Sequence, residues 1–233
     1  AFWLLGMLET VKIGRADTDG SYGLLEIVVP PGLGSPWHVH LEEDEWFYVL
    51  DGNLTVYVGD TRLDLTTGGF AFGPKGVVYI TQGHGKGESR VLKFDADGNF
   101  VKSWGGEGTG PGQFNVPHSI VADAKGTLYI ADRSNQRIQV FDADGTYLRE
   151  STHPGTPCGL CMCRDQKHIM MAHGHAGKIM KLDLNGNALG ATGGQGKGPN
   201  RYGEAHFLAL DRKEDIYVAD TLNWRVQKLV KVK

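Results

Sequence analysis

The chain of 233 residues has no run of about 18 apolar residues, so it offers no transmembrane helix. It has only three cysteines, all within Cys158–Cys163, and an odd, clustered count gives no disulfide framework. An excess of positive charge is also missing. Against 27 Asp and Glu stand 24 Lys and Arg, a net charge of −3 with both signs interspersed, which leaves no electrostatic footprint for nucleic acid or an anionic membrane. No serine stands in a nucleophile elbow and no glycosidase-like carboxylate pair stands out, so hydrolase readings have little support. The apolar stretch Ala1–Leu8 has neither a basic n-region nor a small-residue cleavage site, and reads as a first strand or a domain-covering arm. Localisation stays open, leaning cytoplasmic. The basic tail Lys228–Lys233 is interrupted by Leu229, Val230 and Val232 and reads as a last strand.

What the chain has in abundance is glycine, 34 residues gathered in short clusters between apolar runs, the mark of many tight turns in an all-β protein. The sequence also repeats itself every 41 to 50 residues, the spacing of propeller blades. The unit is Asp-x-(Lys)-Gly-x-Leu-Tyr-Ile-Ala-Asp, a polar turn, then Arg-Ile-Gln-Val-Phe-Asp-x-Asp-Gly. Its copies centre on Tyr79, Tyr129, Met170 and Tyr217. The next strand of each is expected at Arg90–Phe94, Arg137–Phe141, Lys178–Leu182 and Arg225–Leu229. Turns at Asp95–Gly98, Asp142–Gly145 and Asp183–Gly186 then lead to a further strand in the first three copies.

This unit resembles the NHL repeat of β-propellers over roughly residues 68–233, and four copies fall short of a six-bladed ring. The Gly-rich stretches starting at Gly105 and Gly193 lie 88 residues apart and read as equivalent inter-blade loops. A phosphate-cradling role would need a helix to follow, whereas Phe114–Ile120 reads as a strand.

Upstream, residues 32–52 read Gly-x5-His-x-His-x4-Glu-x6-Gly, with Gly32, His38, His40, Glu45 and Gly52. On a strand of period two, His38 and His40 share a face. Glu45 can return to it from the adjoining strand, giving the ligands of a facial triad suited to iron, manganese, zinc or copper. The pattern resembles the first motif of the cupin superfamily, especially the small quercetin dioxygenase-like cupins, over residues 3–79. The second cupin motif is matched by Gly68, Pro74 and Gly76, but its histidine would stand at position 79, where this chain has Tyr79. That tyrosine aligns with Tyr129 and Tyr217 and is favoured as the repeat tyrosine. The expected architecture is therefore all-β: a partial cupin-like barrel in residues 1–78, followed by an incomplete NHL-type propeller of about four repeats in residues 68–233. Both families claim residues 68–79, as in a fusion at a chance similarity.

His118 and His206 lie 88 residues apart at one repeat position, just before the first strand of copies two and four, with Gly68 and Gly159 as the equivalents in copies one and three. Equivalent positions face a propeller's central channel. The surrounding residues resemble the peptidylamidoglycolate lyase branch of NHL proteins, which cleaves a carbinolamide with a channel zinc held by three histidines. The resemblance implies that His118 and His206 match two ligands, Arg133 a channel arginine, and His84 falls near a catalytic tyrosine. The third histidine would come from the region that the cupin-like segment replaces, and the acidic residue expected after the last ligand is Phe207. His173 and His175 read as a polar turn. Cys158, Cys161 and Cys163 read as buried apolar residues of an outer strand.

Three functions follow in order. The first is a cupin-type metal-dependent dioxygenase of a phenolic or flavonol-like small molecule, acting through His38, His40 and Glu45. The second is a zinc lyase acting through His118, His206 and Arg133. The third is a binding or structural protein with both sites degraded. The partners expected are a small-molecule substrate and a second copy of the chain, joined through open sheet edges; the cofactor is a divalent metal, Fe, Mn, Cu or Zn.

Overall fold

A computed structural model describes residues 2–4, 7–13, 24–32, 45–58, 61–68, 70–73, 77–84, 88–95, 99–152, 155–211 and 213–230. Four successive sheets carry the repeat. The first has β7 (Phe70–Gly73), β8 (Val77–Gln82), β9 (Arg90–Asp95) and β10 (Phe100–Gly105) in sequence order. The second has β11 (Pro117–Ala122), β12 (Leu128–Asp132), β13 (Arg137–Phe141) and β14 (Tyr147–Thr152). The third has β15 (Pro157–Met162), β16 (His168–His173), β17 (Lys178–Asp183) and β18 (Ala188–Gly193). A fourth sheet holds β19 (Ala205–Leu210), β20 (Ile216–Asp220) and β21 (Arg225–Leu229). Each is an antiparallel meander, and β11, β15 and β19 pack side by side, as the innermost strands of propeller blades do.

The meanders form because apolar residues alternate and the turns are chemically specified. In the Asp-x-x-Gly turns one carboxylate oxygen caps the bend: Asp142 Oδ1 accepts from the Asp144 and Thr146 amides at 2.9 and 2.8 Å, and Asp183 Oδ1 accepts likewise from Asn185 and Asn187. Gly145 closes its turn at φ +78°, a region costly for any residue with a Cβ. Between blades the cores are continuous. Val91, Phe114, Ile120, Ile130 and Phe141 join blades one and two. Tyr129, Ile138, Leu160 and Met171 join two and three, and Ile179, Tyr202 and Val218 join three and four.

Tyr79 is buried in the first of these cores and its hydroxyl donates to the Ala143 carbonyl of the next blade at 3.0 Å. It packs edge-on to Trp104, as a repeat residue bridging two blades. The Gly-rich loops are equivalent: Phe114 N donates to Gly106 O at 2.8 Å, and Tyr202 N to Gly194 O at 2.9 Å. Three carbonyls of the first loop converge on one cation of the next blade. Thr109, Gly110 and Gln113 oxygens accept from the Arg137 guanidinium at 2.7–3.0 Å, which is the polarity opposite to a phosphate cradle.

The preceding segment takes three places. β1 (Phe2–Leu4), β2 (Met7–Ile13) and β3 (Leu24–Val28) form a sheet of their own. A hairpin of β5 (Asn53–Val58) and β6 (Thr61–Thr66) lays Leu54, Val56 and Leu65 against Ile80, Leu92 and Phe94 of the first blade. This is the face that a preceding blade would otherwise cover. Finally β4 (Glu45–Tyr48) adds to the inner edge of the first blade, antiparallel to β7, with Glu45 opposite Gly73 and Tyr48 opposite Phe70.

Candidate functional site

The second strand of each repeat ends on a residue that fixes the register of the first. Asp132 pairs with Pro117, His173 with Pro157 and Asp220 with Ala205. The next residue in each inner strand is then the equivalent position: His118, Cys158 and His206. Two expectations need correction. The residue equivalent to the two histidines in the third blade is Cys158, not Gly159, and it lies within an inner strand, not an outer one. The two histidines likewise lie within their first strands. In the first blade the same count passes Gly68 and reaches position 69, outside the described residues. The buried residue that ends the second strand fixes the equivalent position, because its pairing is set by hydrogen bonds.

His118 and His206 converge. Their rings stand perpendicular with centroids 4.8 Å apart, and both side chains are buried. His118 Nδ1 donates to the Cys158 carbonyl at 3.2 Å, since a carbonyl can only accept. This leaves the Nε2 lone pair free in the neutral ring, and Nε2 is buried with no partner. A histidine held by a backbone carbonyl through one nitrogen, with the other bare, has the usual posture of a metal ligand. His206 pairs through Nε2 with Tyr48 Oη at 3.2 Å, while its Nδ1 is buried without a partner.

Around the two rings lie polar groups from all four blades. Arg133, in the turn after β12, donates through Nη2 to Glu204 Oε1 at 3.1 Å, and Thr221 Oγ1 donates to Glu204 Oε2 at 3.0 Å. Arg133 Nε is buried and has no partner. His84, exposed at the rim, stacks edge-on to His118 with centroids 5.4 Å apart. His175 Nδ1 lies 4.0 Å from Glu204 Oε1, so the polar turn after β16 reaches the same place. Cys158 Sγ, a Glu204 oxygen and a His206 nitrogen all lie within 4.8 Å of one another, a group that could hold a metal ion.

Of the cupin-like candidates, His38 and His40 lie outside the described residues, and Glu45 opens β4. The sequence does not mark Tyr48 or Glu204 as site residues, and it reads Cys158 as a buried apolar residue. Cys158 was recoverable from repeat register. Tyr48 carried no signal, because it reaches the channel only through the β4–β7 pairing across the seam.

Burial holds His118 well below the ordinary imidazole range, and His206, Arg133 and His84 reinforce this. Burial also lowers His206 to about 4, with Glu204 opposing and Arg133 and His84 assisting. Both rings are thus neutral at pH 7 and able to donate a lone pair. An unfolded histidine takes up its proton near pH 6.5, and these do so only at lower pH. Between those values the unfolded chain binds more protons, so stability is full above pH 6.5 and falls toward pH 4. Urea denaturation at pH 7 and pH 5 should show this loss, and His206→Gln should flatten it.

Residues 25–94 match the cupin domain family, and residues 79–181 match a family described as a 6-bladed beta-propeller. Human NHL repeat-containing protein 3 is 32% identical over 178 residues, which is 66% of this chain and 47% of that protein. Rat peptidylglycine alpha-amidating monooxygenase is 40% identical over 84 residues, 34% of this chain and 8% of the relative. The chain therefore spans less than half the length of either. Among solved structures, a streptogramin B lyase aligns with a TM-score of 0.54 at 14% identity, covering 88% of this chain and 68% of that one. A virginiamycin B lyase from Staphylococcus aureus aligns at 0.52 and 15%, covering 89% and 74%. At these identities the likeness concerns the fold. In its N-terminal part the chain resembles cupins and in its C-terminal part β-propellers, NHL repeat-containing proteins and peptidylglycine amidating monooxygenases, the two joined within one polypeptide.

Proposed function

We propose that the propeller channel is the active centre of a zinc-dependent lyase that cleaves carbinolamide-type small molecules. One observation carries the reading: His118 and His206 meet with a bare, buried nitrogen on each ring. A His206 nitrogen with a carboxylate and a thiol beside it, and the His118 ring facing it, suit zinc. Bound there, zinc would act as a Lewis acid on a substrate oxygen.

The chain's own groups divide the remaining work. Glu204 holds Arg133 by one nitrogen, which leaves the bare Nε to bind a substrate carboxylate. Burial, then the Arg133 charge, lowers the His84 pKa, so its neutral ring at the rim can accept the carbinol proton. As the C–O bond becomes a carbonyl, the C–N bond breaks and its electron pair leaves with the amide nitrogen, which takes up a proton. Tyr48 and Phe207 line the same space, their ring centroids 4.6 Å apart, and restrict water.

The test is release of glyoxylate from an N-acyl-α-hydroxyglycine by the zinc-loaded protein. Arg133→Ala should lower kcat/KM by about 10- to 100-fold, the worth of a hydrogen bond to a charged group. Absence of glyoxylate from the wild-type chain would reject the reading.

A cupin-type oxidoreductase remains a second reading, because the cupin match spans His38, His40 and Glu45. Under it, His40→Ala removes the metal and His206→Ala does not.

A further inference from the structure

We infer that Cys158 supplies a thiolate to the metal centre in the channel, which makes the centre a mixed sulfur–nitrogen site. The inference rests on the proposed metal-holding channel and adds the identity of its third protein donor.

Repeat register is the first argument. His118, Cys158 and His206 each follow the residue paired with the end of the second strand, in three consecutive blades. A position that points two imidazoles into the channel points the intervening side chain there too. Burial without an apolar role is the second. Cys158 is 0% exposed, yet it belongs to none of the hydrophobic clusters, whereas Cys163 and Cys161 pack into the core between blades three and four. Its company is polar instead: its sulfur lies within 4.8 Å of ligand atoms of Glu204 and His206. The sulfur also closely approaches the Gly174 Cα, where a Cβ would come within 2.7 Å of it, so the channel wall is shaped around it.

The neighbouring carboxylate does not replace it. Both Glu204 oxygens already accept hydrogen bonds, from Arg133 and from Thr221, which orient that group toward the arginine. A His206 nitrogen and the sulfur therefore make the core of the donor set; His118, whose bare Nε2 is not among the atoms within 4.8 Å of both, has to turn toward them to complete it, with a fourth position open for substrate. Binding forms the sulfur–metal bond and releases the thiol proton to solvent, as a dication does to any coordinating thiol. Soft sulfur with two imidazoles selects zinc over magnesium, calcium or manganese.

The test is cobalt(II) loading of the wild-type chain, followed by absorption spectroscopy. We expect ligand-field bands of a tetrahedral ion together with an intense near-ultraviolet sulfur-to-cobalt band. Cys158→Ser should lose the sulfur band and weaken cobalt binding by roughly 100-fold or more, beyond the loss typical of outer-shell changes. Cys161→Ser should keep the band. Should Cys158→Ser fail to fold, cadmium NMR of the wild-type chain decides, a sulfur donor moving the resonance strongly downfield. Cobalt bound through His206 with no sulfur band would overturn the thiolate and leave the channel metal standing. Failure of the channel to bind cobalt at all would overturn both.

Discussion

Zinc bound to the purified chain should fall by at least roughly 100-fold in affinity when His206 is replaced by alanine, and likewise for His118→Ala. Both rings are buried, each bears a nitrogen without a protein partner, and each is oriented by its other nitrogen. Removing either leaves too few protein donors for a catalytic ion. His38→Ala is the control, since the cupin-like reading requires that residue and the channel reading does not. Elemental analysis after dialysis against a weak chelator reads the difference. Zinc retained in both channel variants would exclude the channel as its site, and zinc lost only in His38→Ala would move it to the cupin-like segment.

Asp132→Ala should destabilise the chain by about 3–5 kcal/mol, the cost of stranding a buried charge. This carboxylate is fully buried and accepts from the Asn115 amide at 2.7 Å, Asn135 Nδ2 at 2.9 Å, Arg137 Nε at 2.7 Å and Gln139 Nε2 at 3.1 Å. Arg137 in turn gathers the carbonyls of the Gly-rich loop and Glu150 Oε2. Without Asp132 the guanidinium remains in a site with little water. Asp220 makes the same latch with Arg225 at 2.9 Å, but that arginine is more exposed, so Asp220→Ala should cost less. Denaturant midpoints of the two variants provide the comparison. Equal and small losses would show the latch to be dispensable.

Most of the repeat was legible because its signals are local. Asp-x-x-Gly turns, tyrosines at one position in three copies and alternating apolar residues each act within a few residues, and the strands fall where those signals put them. The channel was legible in part. His118, His206, Arg133 and His84 come together; the two of equivalent repeat position, His118 and His206, are legible from the repeat, and Arg133 and His84 only from the resemblance to the lyase branch. Cys158 was misplaced because glycines in a Gly-rich chain are poor landmarks, while the pairing of Pro157 with His173 is fixed by hydrogen bonds. Glu204 was missed because an acidic residue was sought after His206, and the acid stands before it. Tyr48 depends on a contact between residues 158 positions apart, which no local pattern encodes.

The hairpin of residues 53–66 has a consequence for how the two ancestries can be parted. Leu54, Val56 and Leu65 share one core with Ile80, Leu92 and Phe94. At about 1.5–3 kcal/mol for each large side chain returned to water, excising the hairpin would expose more apolar surface than a marginally stable domain tolerates. A cut between the hairpin and the first blade is therefore expected to destabilise the blade, because the two fill one core.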